Sequence, residues 1–171
     1  MDGLSIILGN VCSIFATAAD SISSTRKTTK DMLLVQSLGQ LAYGIGAIIL
    51  KGYSGAVQNF VSILRNFVAI KRIESKILEW VFLALGVVLG IAFNNIGFMG
   101  LLPIIANLQY TYCVFRFKDN ERALKISFLV TVILFTAFNF AIWNIVGGVA
   151  NSIVFVTAGI ALLKDIKKNK E

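Results

Sequence analysis

Residues 52–72 read GYSGAVQNFVSILRNFVAIKR, an apolar run long enough to cross a bilayer that nevertheless carries Gln58, Asn59, Arg65 and Asn66. A helix in lipid keeps such side chains where they face a bundle interior or a polar cavity. The stretch therefore predicts a helix with one polar side, packed among others that share the polarity. Its beginning, SGAVQN at 54–59, also returns 92 residues later as VGGVAN at 146–151, with Gly55 over Gly147, Val57 over Val149 and Asn59 over Asn151.

The whole chain agrees with a membrane setting. Of its 171 residues 57% are hydrophobic and 15% charged, with a mean hydropathy of +0.79, far from the quarter charged of a soluble domain. A helical span needs about 20 mainly apolar residues, and the apolar stretches fall at 3–23, 32–50, 54–71, 77–94, 97–115, 124–142 and 146–163. Seven spans leave no room for a soluble domain, so residues 1–171 form a single membrane domain. The first stretch holds an A-x-A-like site at Ala16 to Ala18 but carries Asp2 where a signal peptide is basic, and it reads as a retained helix.

The net charge of +7 is not a nucleic-acid footprint, which would gather Lys and Arg into a patch on a soluble fold. The basic residues lie between spans: Arg26, Lys27 and Lys30; Lys71, Arg72 and Lys76; Arg116, Lys118, Arg122 and Lys125; then Lys164, Lys167, Lys168 and Lys170. Seven spans put all these clusters on one side, which by the positive-inside rule is cytoplasmic, with the N-terminus outside and the C-terminus in the cytoplasm. Lys51 borders a short outer turn, and Arg65 lies within the third span. Trp80 and Trp143 fall at span ends, where indoles favour the interface.

The repeat extends beyond the two hexapeptides. The same shift sets Tyr43 over Phe135, Ala69 over Ala161, Arg72 over Lys164 and the loop TRKTTK over FKDNER. Spans 1–3, about residues 1–74, thus correspond to spans 5–7, about 97–171, with span 4 at 77–94 as a linker. One linking span between two units of three makes the repeats parallel, an arrangement in which transporters bind substrate near mid-membrane between the repeats.

Leu50-Lys51-Gly52-Tyr53-Ser54-Gly55-Ala56, then Asn59, then Ser62-Ile63-Leu64-Arg65-Asn66 resembles the motif of the YgjV-like bacterial inner-membrane proteins. Leu102-Pro103-Ile104, and Trp143 followed by Gly147-Gly148, resemble that family's second half. The resemblance covers nearly the whole chain. It implies kinship with the SWEET and PnuC transporters, hence an all-α fold of seven transmembrane helices in a 3+1+3 arrangement of two parallel three-helix repeats. SWEETs carry prolines in several bundle helices, whereas this chain has Pro103 alone, which is the candidate hinge.

In SWEET-like proteins a pair of asparagines lines the substrate pocket, and by the resemblance Asn59 and Asn151 take those places. An amide offers donors and an acceptor suited to a hydroxylated or amide-bearing solute; the plainer role is interhelical hydrogen bonding. Tyr43 and Phe135, each sixteen residues before its asparagine, would form stacking walls by the same resemblance. Gln40 lies three residues before Tyr43 and Asn139 four after Phe135, so each shares a helix face with its aromatic. Asn10 in span 1, Asn107, Gln109 and Tyr110 in span 5, and Thr131 and Thr136 in span 6 are further polar residues that could line a path.

Asp20 and Arg65 sit six residues before Arg26 and Lys71, which places both about 9 Å inside the cytoplasmic boundary. In SWEET-like bundles the third helix packs between the first and second, so the resemblance implies an Asp20–Arg65 ion pair, structural or gating. The alternative is an Arg65 that snorkels to the headgroups.

The expected function is transport of a small polar, near-neutral solute, such as a sugar, nucleoside or vitamin, by alternating access. Asp20 is the one acid within a span away from its ends, and so few protonatable groups favour facilitated diffusion. The rival readings are a non-transporting membrane receptor or sensor, and a vitamin-binding subunit of a larger import complex. With no histidine, no catalytic triad and no Cys/His metal set is available to Cys12 and Cys113. The chain reads as no enzyme and as having no cofactor, no metal and no nucleic-acid partner. Its partners are the lipid bilayer and the solute, and homo-oligomerisation is left open.

Overall fold

The described residues form seven α-helices and one 3-10 turn: α1 Gly3–Ser24, α2 Thr29–Ile49, α3 Tyr53–Ile70, α4 Lys76–Ala92, the turn Gly97–Gly100, α5 Leu101–Arg116, α6 Glu121–Ala141 and α7 Ile145–Lys168. The structure is a computed structural model that describes residues 2–73, 75–117 and 119–168, the last five by backbone alone. Of the basic clusters, Lys118 and Lys170 and the side chains of Lys164, Lys167 and Lys168 lie outside the described residues.

The helices begin where a short polar side chain can satisfy a free amide. Asp2, Thr28, Ser75 and Asn120 accept from the backbone N–H three residues on, starting α1, α2, α4 and α6. Asn144 does the same for Gly147 at the start of α7. Lys51, Arg72 and Trp143 take left-handed conformations, φ 57°, 52° and 61°, directly after α2, α3 and α6, the usual way of turning a chain out of a helix.

Among the described residues five helices are long and apolar enough to cross a membrane: α1, α2, the segment Gly97–Arg116, α6 and α7 to Leu163. The expectation of seven spans is thus met for five. α4 has 17 residues, and α3 carries the four polar residues of the 52–72 stretch.

Those residues make α3 inside out relative to a soluble helix. Gln58, Asn59, Ser62, Arg65 and Asn66 are all buried, while Phe60, Leu64 and Phe67 are exposed. In water the hydrophobic effect buries the apolar face; in lipid the polar face is the one that must turn inward. Leucine, isoleucine, valine and phenylalanine likewise cover the outside of α1, α4 and α7.

Contacts run α1–α2, α2–α3, α3–α4, α4–α5, α5–α6 and α6–α7 along the chain, with α1–α7 and α3–α5 closing the bundle. The middle helix of the first three is therefore α2, not α3 as the SWEET resemblance implies. Glycine explains the order. On one side of α2, a Cβ at Gly46 would stand 3.1 Å from both Cys12 Cβ and the Gly9 carbonyl of α1. On the other, a Cβ at Gly44 would stand 3.2 Å from the Phe60 ring of α3. Hydrogen at these positions lets both neighbours approach α2 closely.

Candidate functional site

A cavity of about 50 Å³ lies inside the bundle, lined by residues of every helix except α4. That volume holds roughly three or four waters. Seven of the eight residues singled out as pocket or ion-pair candidates line it: Asp20 from α1, Gln40 and Tyr43 from α2, Asn59 from α3, Phe135 and Asn139 from α6, and Asn151 from α7. Arg65 and Pro103 do not.

Helix geometry puts them there. Gln36, Gln40 and Tyr43 are spaced four and three apart, as are Phe128, Thr131 and Phe135 with Asn139 four beyond, so each set forms one stripe facing inward. Asn59 and Ser62 supply the α3 wall, Asn107 and Tyr110 the α5 wall. The side chains are held by one another. Tyr43 Oη donates to Asn151 Oδ1 and lies 3.0 Å from Thr17 Oγ1, joining α1, α2 and α7. Asn59 donates instead to Gly55 O of its own helix at 2.9 Å, so the two asparagines share the cavity without bonding to each other.

Tyr110 Oη donates to Gln36 Oε1 at 2.9 Å, which leaves Gln36 Nε2 buried with no partner among the described residues. Asn139 Oδ1 accepts from Asn144 at 3.0 Å, and Asn139 Nδ2 is likewise unpartnered. Buried donors of this kind are rare in finished structures and mark places where a ligand or water completes the bonding.

Arg65 does not pair with Asp20. Among the described residues the one ion pair joins Arg116 and Glu79, and the Arg65 guanidinium is taken up by neutral oxygens. Its Nε and Nη2 donate to Asn66 Oδ1 at 3.1 and 2.8 Å, and Nη1 donates to Asn107 Oδ1 and Thr111 Oγ1 at 2.9 and 3.0 Å. α2 packs against both of their helices, α1 and α3, and stands between them. Nor does Arg65 snorkel, being completely buried.

Gln58 and Asn66 extend this network. Gln58 Nε2 donates to Gly86 O of α4 at 2.7 Å and its Oε1 accepts from Asn107 at 2.6 Å. Asn66 Nδ2 reaches Gln40 Oε1 of the cavity at 3.2 Å. Pro103 falls in the first turn of α5, where the missing N–H is not needed. Among the described residues no three His, Cys, Asp or Glu side chains group to hold a metal ion.

A family model described as a bacterial inner membrane protein, Imp-YgjV, matches residues 7–169. The chain belongs to the Imp-YgjV family. It is thus a protein of the bacterial inner membrane, in keeping with its apolar helices. No curated protein and no solved structure matches it.

In this Imp-YgjV protein Gln36, Ser62, Phe128 and Val132 of the lining are not among the residues expected from the sequence. The signal was available, since Gln36 is one turn before Gln40, Ser62 three residues after Asn59 and Phe128 two turns before Phe135.

Proposed function

We propose that this protein is a transporter, not an enzyme, carrying a small polar solute across the inner membrane by alternating access. The observation that carries the reading is the cavity, to which α1–α3 and α5–α7 contribute side chains and α4 contributes none. That division supports a 3+1+3 arrangement of two parallel repeats with α4 as linker, and we take the N-terminus to lie outside and the C-terminus in the cytoplasm from the basic loops.

Two further features support the arrangement. Lys51 and Trp143, at equivalent repeat positions, both adopt the left-handed conformation. A twofold relation that carries α1 onto α5 and α3 onto α7 exchanges the α1–α7 contact with the α3–α5 contact, and both occur. The amides, hydroxyls and aromatics of the lining suit solutes of the sugar, nucleoside or vitamin type. Asn59, Asn151, Tyr43, Gln40, Asn139 and Phe135 would make the contacts, and the scarcity of titratable groups in the lining favours facilitated diffusion.

The test is flux. Proteoliposomes holding the full chain take up one member of a labelled panel of nucleosides, vitamins and sugars, without an imposed ion gradient, and Asn59→Ala and Asn151→Ala slow the uptake at least about tenfold, the value of one lost bond to a buried polar group. Binding of a panel compound without flux would replace the transporter with a receptor.

A further inference from the structure

Asp20 is the one charged side chain in the cavity lining. It is buried, and among the described residues no donor and no cation reaches it. Arg65 directs its donors to Asn66, Asn107 and Thr111 and touches the lining from behind, its guanidinium 4.8 Å from the Tyr110 ring centroid. The other titratable groups facing the cavity are Tyr43 and Tyr110, each bonded to an amide oxygen.

The α2 backbone at Gly39 packs against the carboxylate without offering it a hydrogen-bond donor. A Cβ on Gly39 of α2 would stand 2.9 Å from Asp20 Oδ1 and 3.1 Å from the Ala16 carbonyl. Any larger residue there would press on the acid. A carboxylate taken out of water either takes up a proton or needs a counter-charge to stay ionised, and no side chain in the lining supplies a counter-charge. Gln36, in the same lining, adds the unpartnered donor Nε2.

We propose that Asp20 is the anchor for a cationic group, so that the solute of this cavity carries an ammonium- or amidinium-type positive charge beside an acceptor for Gln36 Nε2. The inference rests on the cavity being a solute site, and it replaces the expected near-neutral solute, which followed from amides and aromatics without a central charge. A positively charged ligand restores the balance that the bundle itself leaves open.

The experiment reads charge selectivity without needing the solute. In the full chain carrying Cys12→Ser and Cys113→Ser, Ser62→Cys puts one thiol into the lining with little change in volume. Its reaction is timed with trimethylammonium-ethyl methanethiosulfonate and with the sulfonate-bearing reagent of the same length. The cationic reagent is expected to react faster, Asp20→Glu to keep the preference and Asp20→Asn to lower it at least about tenfold. Tetramethylammonium chloride should slow the cationic reagent more than sodium chloride of equal strength. Equal slowing by the two salts overturns the organic-cation assignment in favour of an inorganic cation. An unchanged preference in Asp20→Asn overturns the anchor and leaves the transport reading standing, whereas a thiol that neither reagent reaches removes the solute cavity itself.

Discussion

Arg65 lies over the ring of Tyr110, its guanidinium carbon 4.8 Å from the ring centroid, and this contact joins a buried cation to a wall of the cavity. The ring supplies a negative face, and three neutral side chains supply the acceptors, so an arginine is kept inside a membrane protein with no carboxylate bonded to it. The planar fork is essential, because four hydrogen bonds leave in fixed directions to Asn66, Asn107 and Thr111.

Arg65→Lys should therefore not be conservative. An ammonium cannot span Asn66 and Asn107 together, and Asn66 Oδ1 has no other donor among the hydrogen bonds described. Unfolding in detergent should show Arg65→Lys less stable by about 1–3 kcal/mol, the penalty for one orphaned buried acceptor. Arg65→Ala should lose more than Arg65→Lys. A lysine variant as stable as the parent would mean that charge alone matters here.

Tyr43 and Asn151 offer a second test of how the cavity is held. Removing the hydroxyl in Tyr43→Phe strands Asn151 Oδ1 and loosens the tie of α2 to α7. Cross-helix hydrogen bonds in membranes carry about 0.6 kcal/mol on average, with the strongest about 1.7, and a double-mutant cycle of Tyr43→Phe with Asn151→Val should recover a coupling in that range. Zero coupling would show that the two residues line the cavity independently.

Glycine positions make opposite predictions from one substitution. A Cβ on Gly55 would collide with the Phe138 ring, which is buried and stacked edge-on to Phe135 with centroids 6.2 Å apart. Gly55→Ala should destabilise by about 1–3 kcal/mol, as overpacking does. Gly159 has nothing within 4 Å of the same added atom, and Gly159→Ala should be neutral or stabilising by up to about 1 kcal/mol through helix propensity. Thermal unfolding of the two variants side by side checks both signs.

The helices and most of the lining are legible in the sequence for physical reasons that differ. Apolar runs mark most helix limits to within about a turn, while α7 continues five residues past its expected end. The repeat and the three- and four-residue spacings collect Tyr43, Phe135, Gln40 and Asn139. Depth alone misleads for Asp20 and Arg65, since residue counting fixes height along a helix and says nothing of which helix stands between. Which of α2 and α3 is central depends on which helix offers glycines to both neighbours, and that requires knowing both faces of α2. The partners of Gln58 and Asn66 lie on α4 and α2, 28 and 26 residues away, a pairing that no local pattern encodes.

Glu79 and Arg116 give the last prediction, and it turns on their unequal exposure. The Glu79 side chain is 5% exposed and that of Arg116 42%, with Nε donating to Oε1 at 2.9 Å. Deleting the arginine leaves a carboxylate facing the interior without its donor, whereas neutralising the acid leaves an arginine that water already reaches. Arg116→Ala should thus lower the melting temperature more than Glu79→Gln, and adding Glu79→Gln to Arg116→Ala should recover part of the loss. The pair joins α4 to α5 at the end of the bundle that carries the basic loops, so the same variants report how firmly the linker helix is fastened there. If Glu79→Gln proves the costlier change, the burden falls on the arginine, and the carboxylate is held by water instead of by the bundle.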